Sequence, residues 1–214
     1  MPRLPYEECV FLNVPFDSRY DPFLRALVFT VHDCGFVARC AREVDNSGQV
    51  RLSRIYELMA ESKYGIHDIS RTSLDRAHRL PRFNMPLEFG IFLGAVQFGR
   101  GKQREKSCLI LDREPFRYQK YCSDLAGQDI RAHHDWLDGA VKSVRNWLSS
   151  HLTGRKIQVP GHARIFARYQ RFRHELPAIC AQFQLDPAEL IFSEYTTLVV
   201  GWLKVNPWAP HGAP

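Results

Sequence analysis

The sequence is marked first by what it lacks. It has no Cys-x-x-Cys pair, so Cys9, Cys34, Cys40, Cys108, Cys122 and Cys180 are spaced neither for a zinc site nor for a disulfide frame. Several of them sit in apolar runs and read as reduced, partly buried thiols. The longest apolar runs, at 91–96 and 198–203, are far too short to span a bilayer. The N-terminus has no apolar signal core, which favours the cytoplasm over export. Zinc-finger spacing, an RNP-like aromatic pattern, internal repeats and low-complexity tracts are all missing. Twenty-nine basic residues against 23 acidic ones give a net charge of +6, but the basic residues are scattered. Their densest cluster, Arg164, Arg168, Arg171, Arg173 and His174, falls on an expected helix and reads as a solvated face. These absences speak against membrane and nucleic-acid partners.

What is present is ordinary globular usage. Over 214 residues, 45% are hydrophobic and 24% charged, enough for one α/β domain with a small annex. Runs rich in β-formers at 9–17, 36–40, 64–69, 107–112 and 129–132 read as strands. Amphipathic stretches at 21–35, 50–62, 87–98, 118–126 and 136–152 read as helices. In the first, Asp21 is the expected N-cap, Pro22 the first helical residue, and Gly35 the stop. Leu52, Ile55, Tyr56 and Met59 are expected to face inward, as are Trp136, Ala140, Val141, Val144, Trp147 and Leu148. The polar stretch 70–83, with His78 and Pro81, reads as a loop, as does 45–48.

Five alternations of strand and helix imply a parallel sheet covered on both faces, with the flavodoxin-like order 2-1-3-4-5. The expected domain spans 8–152. A helical extension over 153–205, with helices at 163–183 and 187–204, docks on it, and 206–214 is expected to be disordered.

In such sheets ligands bind outside the strand carboxyl ends, where the strand order reverses. Here that point lies between the first and third strands. Pro15, Phe16 and Asp17 follow the first; Asp68, Ser70 and Arg71 follow the third. Asn84 and Glu88 open the next helix. Three separate segments thus converge on one crevice. Each residue also has a plainer role. Glu88 would complement the helix dipole from the first turn. Asp17 would close an Asx turn before Tyr20, Asp68 would bond the backbone at Ser70 or Arg71, and Asn84 would cap the Pro86 helix. Gly90 and Gly94 would let the sheet or a ligand approach closely. His67 reads as a packed strand histidine. The pair His133-His134 has no third metal ligand in view. No GxGxxG, GxxxxGK[ST] or GxSxG pattern follows the first strand or occurs elsewhere at a fitting place, which disfavours dinucleotide, P-loop and hydrolase sites.

The segments Val10-Phe-Leu-Asn-Val-Pro-Phe-Asp17, Tyr64-Gly-Ile-His-Asp-Ile-Ser70 and Asn84-Met-Pro-Leu-Glu-Phe-Gly-Ile-Phe-Leu-Gly-Ala95 together resemble the nucleoside 2-deoxyribosyltransferase and TIR-like superfamily. The resemblance covers about residues 8–150. It implies a flavodoxin-like domain that cleaves or exchanges the N-glycosidic bond of a nucleoside, a nucleotide or NAD. On that resemblance Glu88 is the catalytic carboxylate, and Asp68 holds ribose hydroxyls or assists proton transfer. Pro15, Phe16, Asp17, Ser70, Arg71 and Asn84 bind substrate, with Phe16 against the base and Arg71 against a phosphate. No metal and no cofactor is required. The chain departs from the family in having Met85-Pro86 where a Gly-Thr pair usually stands, and Arg82-Phe83-Asn84 where an aspartate precedes it. The alternative is a non-catalytic nucleotide-sensing or oligomerising module of TIR type, to which the apolar C-terminal helices would add a homo-oligomer contact. A phosphotransfer receiver is disfavoured, because no acidic pair follows the first strand and Ala132-His133, not lysine, ends the fifth.

Overall fold

The computed structural model describes residues 4–43, 48–72, 83–152 and 159–208. The loop expectations at 45–47 and at 73–82, with His78 and Pro81, lie outside the described residues, as do 153–158 and 209–214. Strands β1 (Cys9–Asn13), β2 (Val37–Arg39), β3 (Tyr64–Asp68), β4 (Ser107–Asp112) and β5 (Ile130–Ala132) form one sheet. All four pairings are parallel and the order is β2-β1-β3-β4-β5. The fold is the expected α/β three-layer arrangement.

Helices α1 (Asp21–Asp33) and α4 (Leu137–Ser150) cover one face; α2 (Arg51–Glu61) and α3 (Asn84–Phe98) lie on the other. This division follows from right-handed crossovers that leave β1 toward β2 and leave β3 toward β4. Alternation along the strands supplies each face. Val10, Leu12, Tyr64 and Ile66 join the core under α1 and α4, whereas Phe11 meets Ile55, Leu58, Met59 and Phe92 under α2 and α3. Gly65 is what lets Phe92 lie flat on β3, because a Cβ there would come within 2.9 Å of that ring.

Several local expectations change. Tyr20, not Asp21, is the N-cap of α1, and Asp21 instead pairs with Arg25 one turn on at 2.6 Å. Gly35 ends α1 as expected, with φ of 83° and its N–H on the His32 carbonyl. The 118–126 helix is two single 3₁₀ turns, Arg117–Lys120 and Ser123–Leu125. Trp136 is 73% exposed rather than inward, because α4 starts one residue later and Trp136 stands before its buried stripe. Tyr56 and Leu52 are exposed too. All six cysteines are free, and no described helix is long and apolar enough to cross a membrane.

The C-terminal helices α5 (His162–Gln182) and α6 (Phe192–Val205) add a further layer outside α1 and α4. α6 starts five residues later than its expected start at 187. Asp186 accepts the Ala188 N–H, and Glu194 accepts the Ile191 N–H, so 187–191 forms a turn and the helix opens after it. Phe172, Tyr195, Val199 and Trp202 bury their side chains against α1, with Phe29 stacked on Phe172 at 5.4 Å. Much of the apolar surface of these helices is thus used within the chain, while Phe183, Ile191 and Val205 stay exposed. Residues 206–208 of the described chain pack back on α1 and α5. Trp208 lies on the Arg168 guanidinium at 4.0 Å and donates to the Asp33 carbonyl at 3.3 Å.

Arg168 also holds Asp33 from α5 across to α1, with nitrogens at 3.1 and 3.3 Å from its carboxylate. Asp33 is buried, and burial pushes its carboxyl up despite the guanidinium. Removing one partner of such a pair leaves an uncompensated charge. Arg168→Ala should lower the unfolding free energy by about 3 kcal/mol. Urea unfolding at pH 7 checks this, and a loss below about 1 kcal/mol would mean the annex is held by its apolar contacts alone.

Candidate functional site

The strand-end residues fall into two groups, because β3 sends neighbouring side chains to opposite faces. His67 points toward α3, with its ring 5.0 Å from Phe89 and 4.8 Å from Phe92. Asp68 points the other way, toward α1 and the end of β5.

Asp68 is fully buried, and each of its oxygens accepts a hydrogen bond. Tyr20 Oη donates to Oδ2 at 2.5 Å, and the Ser70 N–H donates to Oδ1 at 2.8 Å. His133 Nδ1 accepts the Asp135 N–H, so its proton sits on Nε2, which faces Asp68 Oδ2 at 3.3 Å in an off-line contact. Burial raises the Asp68 carboxyl, but His133, Ser70 and Tyr20 outweigh it and bring the net below the ordinary value. The same carboxylate raises the Tyr20 phenol further, after burial itself. This arrangement ties β3, α1 and β5 together. It gives Asp68 no free oxygen for a sugar. Asp112, at the end of β4, is held the same way by Arg117 Nε and the Tyr121 hydroxyl, at 2.9 and 3.0 Å.

Glu88 has a different setting. α3 begins at Asn84, so Glu88 is its fifth residue, past the first turn where a capping carboxylate would stand. Phe92 lies one turn further on and is buried against Phe11, Ile55 and Leu58. Glu88, at i−4, therefore shares that face and sits above the end of β1, opposite the first turn of α2. It is only 7% exposed, and among the described residues it has no hydrogen-bond or ion-pair partner. Burial pushes its carboxyl up to about 7, and the nearby Arg51 charge only partly opposes this. Gly90 and Gly94 fall on the outer side of α3, where an added Cβ would meet nothing, so they assist no close approach.

Arg51, whose charge acts on Glu88, lies against the segment that follows β1. Its guanidinium lies 5.5 Å from the Phe16 ring centroid, and that of Arg42 lies 4.8 Å from it. Arg42 also donates to the Phe16 carbonyl at 3.1 Å. Asn13 fixes the other side: its Nδ2 donates to the Met85 carbonyl at 2.9 Å and to His67 Nδ1 at 3.0 Å, clamping α3 to β1. Burial drops His67 to about 3, so it stays neutral and can accept that bond.

Of the expected residues, Phe16 and Glu88 thus share one neighbour, Arg51, which lies against the Phe16 ring and whose charge acts on Glu88. Asp17 is a turn residue that accepts the Arg19 and Tyr20 N–H groups at 3.1 Å. Pro15 is buried, Asn84 is exposed and is not a cap, and Asp68 and Ser70 belong to the scaffold below. Arg71 is half-buried, on the side where its charge reaches Tyr20. Asn13, Arg42, Arg51 and Tyr20 are not among the residues the sequence singles out, and His133, read there as half of an exposed pair, is buried beside Asp68. For Asn13 a signal existed, since it ends the strand at the switch point in register with His67. For the others the relevant contacts run between distant segments. Among the described residues no group of three His, Cys, Asp or Glu could hold a metal, and His133 is engaged by Asp68.

A separate groove of about 620 Å³ runs between the β5 edge and α4, lined by Cys108, Arg131, Lys142, Asn146 and Trp147. Its one carboxylate, Asp129, is exposed and paired with Arg131 at 2.6 Å. Glu88, by contrast, is a buried carboxylate without a partner among the described residues.

Two opposite stability effects follow. Below about pH 4.5 the Glu88 carboxyl is protonated whether the chain is folded or not. From there to about 7 the unfolded chain releases the proton and the folded chain keeps it, so stability falls as pH rises through that window and then levels off. Glu88→Gln should remove this fall and raise the melting temperature at pH 8 by on the order of 5 °C. Asp68→Asn, by contrast, should cost about 2–3 kcal/mol at pH 7, because its donors lose a charged acceptor. Melting curves from pH 4 to 8 separate the two; equal shifts of one sign would contradict the assignment of roles.

The chain matches no protein-family model, no curated protein and no solved structure.

Proposed function

We propose that this protein cleaves or exchanges an N-glycosidic bond of a nucleoside, nucleotide or NAD, with Glu88 facing the anomeric carbon. The observation that carries this reading is the buried Glu88 carboxylate without a hydrogen-bond partner, at the strand carboxyl ends of a 2-1-3-4-5 sheet. Breaking such a bond builds positive charge on the sugar, in an oxocarbenium-like transition state. A carboxylate already surrounded by donors has little field left for that charge. Glu88 has no such donors among the described residues, and its burial weakens screening by solvent. It would act as nucleophile or as electrostatic stabiliser. The Phe16 ring offers a flat apolar surface for the base. Asp68 supports the site from the opposite face rather than touching substrate, which replaces the role expected for it from the resemblance.

A second reading is a binding or oligomerising module without turnover. It is favoured by α3, whose outer face carries no charge and leaves Leu87 58% and Phe98 84% exposed. Chromatographic detection of free base, after incubation with nucleosides, nucleotides and NAD, decides between them.

In the first case Glu88→Gln should lower the cleavage rate by about 10²–10³, the usual loss for one well-placed electrostatic group, while the variant stays folded. The wild-type rate should rise with pH to a plateau above about 7, as the carboxyl ionises. Full activity in Glu88→Gln would exclude this residue as the reacting carboxylate, and binding without any base release would favour the second reading.

A further inference from the structure

The crevice beside Glu88 holds more positive charge than its fold needs. Four arginines gather around the ends of β1, β2 and α2. Arg39 is engaged by Glu43, with Nε at 2.7 Å, and by Glu61 at 3.6 Å. Arg54 is engaged by Glu57 at 3.3 Å and by Glu43 at 3.8 Å. Every carboxylate of that cluster is therefore taken by those two arginines. Arg42 and Arg51 remain, each exposed and neither in an ion pair among the described residues. Both guanidiniums lie against one ring, Phe16, within 5.5 Å of its centroid. Stacking on a ring holds a guanidinium flat and leaves edge N–H groups for an acceptor, of which Arg42 spends one on the Phe16 carbonyl. Arg51 also stands at the first residue of α2, where free backbone N–H groups add partial positive charge.

We propose that Arg42 and Arg51, on Phe16, form a phosphate subsite, so that the substrate of this crevice is a phosphorylated N-glycoside rather than a free nucleoside. This rests on the reading of Glu88 as the group that faces the sugar. The planar donor fork of an arginine fits two phosphate oxygens, and two such forks fit a dianion. A bound phosphate also offsets the Arg51 charge that acts on Glu88, and so leaves the carboxylate field to the sugar. Arg71, the phosphate ligand expected from the sequence, lies instead on the side of Tyr20.

The test measures binding to the full chain by calorimetry. The ligands are the four ribonucleosides and four deoxyribonucleosides, each beside its 5′-monophosphate, together with NAD. Wild type is compared with Arg42→Ala/Arg51→Ala and with Arg42→Lys/Arg51→Lys, after circular dichroism has confirmed that each variant is folded. At least one monophosphate should bind wild type about tenfold or more tightly than its nucleoside. That preference should fall to about twofold or less in the alanine variant, survive in part in the lysine variant, and shrink with added salt. No preference in any pair, no binding of any ligand, or a preference that persists in the alanine variant would overturn the phosphate subsite. Base release is scored separately. Phosphate preference without release from any ligand removes the catalytic reading of Glu88 and leaves the subsite standing. Release from nucleosides with no preference for their phosphates does the reverse.

Discussion

The chain leaves β1 and β3, which lie side by side, in opposite directions, and the rest of the molecule depends on that divergence. With right-handed crossovers it sends α1 and α4 to one face and α2 and α3 to the other. No connection then crosses directly above the β1–β3 seam, the place where such sheets bind ligands. Hydrogen bonding between Asn13, His67 and the Met85 carbonyl ties the start of α3 to that seam.

Three carboxylates at this edge show how setting separates roles. Asp68 and Asp112 each receive several donors and act as fixed anchors for the segments that supply them. Their negative charge is balanced locally, so burying it is tolerable. Glu88 receives none among the described residues, and its buried position makes ionisation costly. A folded chain keeps such a group only where something else stabilises the arrangement. The apolar contacts of Phe89 and Phe92, packed in the clusters under α3, do so here.

The C-terminal helices make the molecule asymmetric. One face of the sheet lies under two helical layers, whose aromatic core links Phe29, Phe172 and Trp202. The other lies under α2 and α3 alone. That thinner side carries Glu88, Arg51 and the uncharged outer surface of α3. The heavily packed side carries the Arg168–Asp33 pair and the Trp208 clamp, both remote from the crevice by their place at the far end of α1.

By itself the sequence determined the element order, the parallel sheet and the position of its switch point. Those follow from local periodicity, from short connections and from the handedness of crossovers, all of which act within about 40 residues of chain. It also singled out Glu88 and Phe16, since both lie next to a strand or helix end that the periodicity marks. Tertiary structure decided the rest. The alternation in β3 separates His67 from Asp68, yet only the packing of α1 and α3 shows that Glu88 shares the face of His67. Partners of Asp68 come from residues 20 and 133, far away in the chain, so no local pattern announces that its oxygens are occupied. Arg42 and Arg51 gain meaning only by subtraction, once Arg39 and Arg54 are seen to engage the neighbouring carboxylates. Charge pairing and burial are properties of three-dimensional neighbourhoods, and a sequence lists the charges without the distances that decide which of them remain unpaired.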